Sequence, residues 1–407
     1  MTLNTKTGSV TSPKGFLATA VSGNLKYQDR LDTALVVSET TCTTAAVFTK
    51  NQVVAAPVIV DKEVVAQNPN GVRAIVANSG IANACTGELG LTNARNTQIE
   101  AANALGCSPS QILVLSTGVI GMHLPMDRLA TAVQTAAQSL SPNSGIKSAR
   151  AIMTTDTRPK HASITVEIEG QTITLGGMAK GAGMIHPNMA TMLGVITTDA
   201  KISAAALDRC LKTAVSQSFN CISVDGDTST NDTVLLLANG RSEVELSSPE
   251  HLSSFNEALT KLSIYLSHEI VKDGEGATKF VEINVNSIGK NEDAHQIANT
   301  IATSPLVKTA FAGSDPNWGR ILAAAGRAGV QFDQSKIDLH IRNEGNTPLH
   351  LLSQGTPTDY LEDDAAQIFA QASFVIDLTF HQGEGSATVW TSDLSHDYVT
   401  INADYRT

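Results

Sequence analysis

Apolar residues recur at every second position in several short runs: Ile164, Val166 and Ile168; Val281, Ile283 and Val285; Phe374, Ile376, Leu378 and Phe380. Period two with turn formers at the ends predicts strands. The continuous run Ile112-Leu113-Val114-Leu115 predicts a buried strand. Elsewhere the spacing is helical. Met126, Leu129, Val133, Ala136, Ala137 and Leu140 follow Pro125, and Leu207, Cys210, Leu211, Ala214 and Val215 follow an alanine cluster. The stretch Glu167–Thr174 turns at Gly170 between two alternating runs and predicts a hairpin, so pairing is antiparallel there and a purely parallel doubly wound sheet is excluded. A layered α+β architecture follows. Ser139–Gly145 and Asn284–Asp293 are rich in turn formers and predict element boundaries, neither being a long disordered linker. No repeat of solenoid period stands out.

Composition narrows the class. A chain of 407 residues is ample for a large core and suggests two or three domains. Its 39 acidic and 28 basic residues give a formal charge of −11, which argues against nucleic acid or an anionic membrane as partner. Cysteines at 42, 85, 107, 210 and 221 are odd in number and form no Cys-x-x-Cys pair, so neither zinc nor dithiol chemistry is expected and a reducing cytoplasm fits. The N-terminus has no apolar signal core and no apolar run reaches 18 residues, so neither secretion nor membrane insertion is expected.

Candidate chemistry centres on Lys180–Leu193, a Gly-rich, weakly charged stretch containing Ala190-Thr191. A threonine hydroxyl is a poor nucleophile until a base activates it, and cleavage of the preceding bond would supply one, because a free α-amine titrates near pH ~8. Gly181 and Gly183 permit unusual backbone angles and Pro187 fixes one dihedral ahead of Asn188, as a strained self-cleaving turn requires. The alternative is a threonine that only bonds to nearby backbone. Thr117-Gly118, after the buried strand, offers a hydroxyl and an N–H to an oxyanion, or simply ends the strand. Lys180 binds a substrate carboxylate, or depresses an amine pKa, or is a solvated surface group. Glu275, between Gly274 and Gly276, pairs with an amino group or sits in an exposed turn.

Other motifs exclude functions. Gly177–Gly183 is neither a dinucleotide fingerprint nor a Walker loop, so no nucleotide cofactor is implied. Asp225, Asp227 and Asp232 lack the glycine and glutamate of a calcium loop and predict a structural or site-supporting polar turn. His186 could act as a base, but its neighbour Pro187 favours a loop role.

Lys180–Leu193 resembles the self-cleavage signature of the ornithine acetyltransferase family, also called glutamate N-acetyltransferase, in which the Ala-Thr bond is cut. Other segments match in the same order along the chain: Asn78–Gly87, Ser116–Gly121, Met153–Thr157, Ser223–Asp232, Asp273–Lys279, Gly313–Arg320 and Asn402–Thr407. The resemblance implies an α+β fold, a layered α/β/β/α-type sandwich of the self-cleaving N-terminal-nucleophile acyltransferase kind. It also implies an α chain of residues 1–190 and a β chain of residues 191–407, the latter carrying a smaller C-terminal α+β domain from roughly residue 285. Thr191 is then the nucleophile, Thr117 and Gly118 the oxyanion hole, and Ala190-Thr191 the cleavage site. Thr154, Lys180, Thr191, Glu275, Asn402 and Thr407 contact substrate, with Thr155 and Thr157 as alternatives to Thr154.

The reaction so implied moves the acetyl group of N2-acetylornithine to glutamate through an acetyl-threonine, within arginine biosynthesis. No metal or cofactor is required. Acetyl-CoA enters only as an alternative donor in a bifunctional enzyme. A related aminopeptidase or amidase, or a binding protein that has lost the chemistry, are the other readings. The expected assembly is α2β2, in the cytoplasm, with small-molecule substrates only.

Overall fold

The computed structural model describes residues 1–186 and 192–404. Its strands are β1 (Thr2–Asn4), β2 (Phe16–Val21), β3 (Thr33–Phe48), β4 (Val72–Ile81), β5 (Ile112–Val119), β6 (Lys160–Ile168), β7 (Gln171–Lys180), β8 (Leu193–Thr198), β9 (Ile222–Ser223), β10 (Thr233–Ala238), β11 (Phe280–Gly289), β12 (Asp338–Arg342), β13 (Leu349–Ser353), β14 (Thr356–Pro357), β15 (Ser373–Gly383) and β16 (Gly385–Ser392). Its helices are α1 (Ala56–Gln67), α2 (Gly87–Leu105), α3 (Met126–Ala137), α4 (Gly145–Ala151), α5 (Ala204–Ser216), α6 (Pro249–Lys272), α7 (Asn291–Ala302), α8 (Pro305–Ala312), α9 (Trp318–Gly326), α10 (Glu362–Phe369) and α11 (His396–Asp404). No helix among the described residues is long and apolar enough to cross a membrane.

Strand β3, 16 residues long, shapes the body of the molecule. Thr33–Val37 pairs with β2 and β4, whereas Thr43–Phe48 pairs with β10, and the register breaks between Val37 and Cys42. The first sheet, ordered β1-β6-β7-β8-β10-β3-β4-β5 with β2 also on β3, is thereby divided into two halves that pack on each other. Strand alternation then assigns each side chain a layer. Ile75, Ala77, Leu113 and Leu115 meet Met178, Val195, Leu235 and Leu237 between the halves. Their neighbours Ala74, Val76, Ile112 and Val114 face outward against Ala94 and Ala101 of α2 and Leu129 and Val133 of α3. On the opposite outer face, Ile164, Val166, Ile196 and Leu236 pack on Leu207 and Leu211 of α5 and Leu259, Leu262 and Leu266 of α6. The layers are therefore α/β/β/α. Each wholly buried Leu, Ile or Val in them contributes about 1.5–3 kcal/mol through the hydrophobic effect.

Local chemistry sets the helix ends. Ser248 caps α6 by accepting from the His251 amide at 3.2 Å, with Pro249 in the first turn, where a missing N–H is harmless. Gly106 ends α2 in the left-handed region at φ 64°. The β6–β7 hairpin forms where expected, with Ile168 paired to Gln171. Helix α3 stops at Ala137, so Leu140 packs from the following turn rather than extending the helix. The stretch Asn284–Asp293 holds the β11–α7 boundary at Lys290, but its first half is strand, where Asn284 donates to Asp377 at 2.8 Å from the neighbouring strand.

A second sheet, ordered β14-β13-β12-β15-β11-β16-β9, carries its own apolar core. Val281, Ile283, Ile376 and Leu378 pack there with Ile297 and Ile301 of α7, Phe311 of α8 and Phe369 of α10. Its edge strand β9 runs parallel to β16, with Ile222 opposite Trp390, and leads directly into the turn at Asp225–Asp232. That turn lies between the two sheets, at the end of the first sheet where β4, β5 and β7 finish and β8 and β10 begin.

Candidate active site

At these strand ends lies a cavity of about 240 Å³. Thr117, Gly118, Thr154, Lys180, Glu275 and Asn402 all line it, although they come from five separate segments. Thr155 lines it too, while Thr157 is turned away and donates its amide and hydroxyl to Asp273. Ala190, Thr191 and Thr407 lie outside the described residues, as do Pro187 and Asn188. The chain on either side of Thr191 is firmly placed. Asp225 accepts from the amides of Met184 at 2.7 Å and Ile185 at 2.8 Å, and Asp232 accepts from the Met192 amide at 2.9 Å. Lys180 and Leu193 are direct partners in the β7–β8 ladder.

Parallel pairing of β4 with β5 places Gly80 opposite Gly118. Gly118 adopts φ 129°, and a Cβ there would come within 2.2 Å of the Gly80 carbonyl carbon, so no side chain fits. Asn231 ties the two strand ends together, donating to the carbonyls of Ala82 at 2.7 Å and Ser116 at 2.8 Å. Sequence reading did not single out Asn231. Its signal was present inside the Ser223–Asp232 run, but two long-range carbonyl contacts have no local signature.

Lys180 is not a surface lysine: it is 4% exposed. Its ammonium donates to Thr117 Oγ1 at 3.3 Å, the one hydrogen bond it makes among the described residues. Burial pulls its pKa down, the neighbouring Lys160 adds to this, and Asp156, Asp232 and Glu275 oppose it. A buried ammonium has three donors, so this arrangement leaves capacity for an anionic ligand. Because the Thr117 oxygen accepts from Lys180, its own proton is available to donate into the cavity.

Behind Lys180 sits a second buried cation that was missed from sequence. Lys160, at the start of β6, contacts Asp156 at 2.6 Å and Asp273 at 2.5 Å with all three side chains almost wholly buried. Burial raises the Asp156 carboxyl, but the Lys160 and Lys180 ammoniums and the hydrogen bonds from Lys160 and the Gly181 amide outweigh it and hold that carboxyl well below the usual range. Asp156 also accepts from the Thr154 amide at 2.9 Å, while Arg30 donates to the Met153 and Thr154 carbonyls, both at 2.8 Å. The threonine segment is thus pinned against the cavity wall.

The opposite wall is acidic. Glu275 is buried, packs against Gly183, and accepts from Asn402 of α11 at 2.8 Å. Helix α11 buries no residue of its own and docks through polar contacts: Asn402 to Glu275, Tyr398 to Asp225 at 3.3 Å, and Ser395 to the Gly276 carbonyl at 2.6 Å. Burial pushes the Asp225 carboxyl up to about 6, against hydrogen bonds from the Asp227, Met184 and Ile185 amides. Burial likewise raises Asp232 well above an ordinary carboxyl, and its Oδ2 has no hydrogen-bond partner among the described residues. His186 approaches Ser223 Oγ at 3.4 Å, and burial lowers its pKa. The aspartate turn is therefore site-supporting, as its sequence suggested, and Tyr398 is a cavity residue that nothing in the sequence marked.

The molecule is thus an αββα sandwich with a polar, oppositely charged cavity where its strands end. The ArgJ family model matches residues 17–407, and the chain belongs to that family. The arginine biosynthesis bifunctional protein ArgJ of Symbiobacterium thermophilum is 47% identical over 405 residues, covering 98% of this chain and 99% of the relative. The protein of the same name from Thermotoga neapolitana is 46% identical over 398 residues, covering 97% and 99%. A crystal structure titled arginine biosynthesis bifunctional protein argJ, from Bacillus halodurans, shares 40% identity across 51% of this chain and 97% of that chain, with a TM-score of 0.48.

Proposed function

We propose that this protein moves the acetyl group of N2-acetylornithine to glutamate through an acetyl ester on Thr191, in arginine biosynthesis. The observation that carries the reading is the Lys180–Thr117 pair: a buried, under-bonded ammonium beside a hydroxyl whose proton is free, facing a cavity whose other wall holds Glu275 and Asn402. Membership of the ArgJ family supports it.

The sequence of steps follows from the groups present. An N-to-O shift at Ala190-Thr191 forms an ester, water hydrolyses it, and the α-amine of Thr191 is freed. This amine removes the Thr191 hydroxyl proton as the oxygen attacks the acetyl carbonyl. Thr117 Oγ–H and the Gly118 amide stabilise the oxyanion; a single such donor is typically worth a factor of about 10²–10³ in rate. Lys180 and Thr154 bind the substrate carboxylate end, while Glu275 and Asn402 face its ammonium. The protonated amine donates to the departing nitrogen, ornithine leaves, and the α-amine of glutamate takes the acetyl group from Thr191. The cycle conserves the acetyl group and uses no metal or cofactor.

The word bifunctional in the relatives' names favours acetyl-CoA as a second donor. The proposed setting is the cytoplasm, with residues 1–190 and 191–407 remaining associated as α2β2. The test combines denaturing mass analysis with N-terminal sequencing of purified protein and an assay of ornithine release. Two pieces, the second beginning at Thr191, and release that depends on glutamate are expected. An uncut but active chain, or release indifferent to glutamate, would overturn the proposal. Acetyl-CoA as sole donor then separates the one-donor from the two-donor enzyme.

A further inference from the structure

The proposed reaction poses a problem that the three carboxylates of the acidic wall answer. Both amino acids present an α-nitrogen to the same acetyl-carrying oxygen, so their side chains run in the same direction. One ends in an ammonium and the other in a carboxylate. A single cavity must therefore tolerate opposite charges at one place, and the group that meets them decides the balance between donor and acceptor.

Asp225, Asp227 and Glu275 all line the cavity, but they are not equivalent. Asp225 is saturated, accepting from the amides of Met184, Ile185 and Asp227 and from the Tyr398 hydroxyl. Glu275 is buried and already engaged by Asn402 through Oε2. Asp227 gives its amide N–H to Asp225 at 3.3 Å, which fixes its backbone, yet its exposed carboxylate has neither a hydrogen bond nor an ion pair among the described residues. Its field is felt across the cavity nonetheless: it opposes the lowering of the His186 pKa and adds to the raising of Tyr398. Gly226, at φ 85°, makes the turn that sets Asp227 apart from Asp225.

We propose that Asp227 is a specificity-determining residue of this cavity, its free carboxylate favouring a substrate side chain that ends in an ammonium and disfavouring one that ends in a carboxylate. The inference rests on the acetyl-transfer reading. Lys180 holds the end common to both amino acids, and Asp227 reads the end at which they differ. Glu275 is already engaged by Asn402, whereas the Asp227 carboxylate keeps its acceptor capacity for an arriving ammonium and repels an arriving carboxylate.

The test is steady-state kinetics on Asp227→Asn and Asp227→Glu, with N2-acetylornithine as donor, glutamate as acceptor, and N2-acetylnorvaline as a competitive inhibitor of the same chain length without the ammonium. Because the backbone link to Asp225 survives both changes, the cavity frame is retained, which thermal unfolding checks. Asp227→Asn is expected to raise KM for N2-acetylornithine by about twofold to fivefold, the range for a partly screened charge pair. KM for glutamate should fall, and the inhibition constant of N2-acetylnorvaline should stay within about twofold, since it carries no side-chain charge. Asp227→Glu should restore the wild-type order. Parallel shifts for all three compounds, or no shift for the cationic donor, would overturn the proposal. Wild-type protein that releases no ornithine in a glutamate-dependent manner would instead remove the acetyl-transfer reading, and this inference with it.

Discussion

Two regions one strand apart use the same residue type for opposite ends. Lys160 opens β6 and Lys180 closes the neighbouring β7, and both ammoniums act on the Asp156 carboxylate. Around Lys160 the electrostatics are closed: two buried carboxylates engage the cation, and Thr157 completes Asp273. Around Lys180 they are open, with one hydroxyl contact and a cavity in front. A buried charge with its partners in place belongs to the fold. A buried charge short of partners is a site awaiting a ligand.

The largest effect that could break this contrast is the loss of Lys160. Lys160→Ala leaves Asp156 and Asp273 buried without their cation, and chemical denaturation should show a loss of about 3–5 kcal/mol. If stability barely moved, the closed cluster would not be structural. Next comes Lys180→Met, which removes an ammonium that is poorly compensated by partners. Its kcat/KM for acetyl transfer should fall by about a hundredfold, in the range for a lost electrostatic contact to the reacting substrate. Its melting temperature should be unchanged or higher, and a loss comparable to that of Lys160→Ala would erase the distinction. The smallest effect concerns the helix over the cavity. Tyr398→Phe removes one contact of α11 to Asp225, worth about 0.5–1.5 kcal/mol, so KM should rise by about twofold to tenfold with kcat nearly constant. A change confined to kcat would mean that the hydroxyl takes part in the chemistry.

The layers were legible because the information that makes them is local. Ile164, Val166 and Ile168 alternate within one strand, and the hairpin at Gly170 follows from eight consecutive residues, so neighbours along the chain decide the outcome. The second core is similarly plain in Phe374, Ile376, Leu378 and Phe380. Strand β3 was not foreseen: Ser38–Thr44 is mostly polar, and its role as a shared strand depends on two different partners. The closed charge cluster was invisible for the same reason, since β6, β7, β8 and β10 of the first sheet and helices α5 and α6 all intervene between Asp156 and Asp273. Of the site, Thr117, Lys180 and Glu275 could be suspected from residue type and glycine context. Their convergence on one cavity is a property of topology, which no pairwise spacing contains.

The β7–β8 ladder has a consequence for how the molecule could be built. Lys180 pairs with Leu193, and the pairing runs on to Leu175 and Thr198, so the strands flanking the segment between them are held by inter-strand hydrogen bonds and a common core on both faces. Covalent continuity across that segment is therefore not needed to keep its two sides together. Residues 1–190 and 191–407, expressed from separate genes, should assemble by fragment complementation into one particle, each piece supplying the sheet edge on which the other folds.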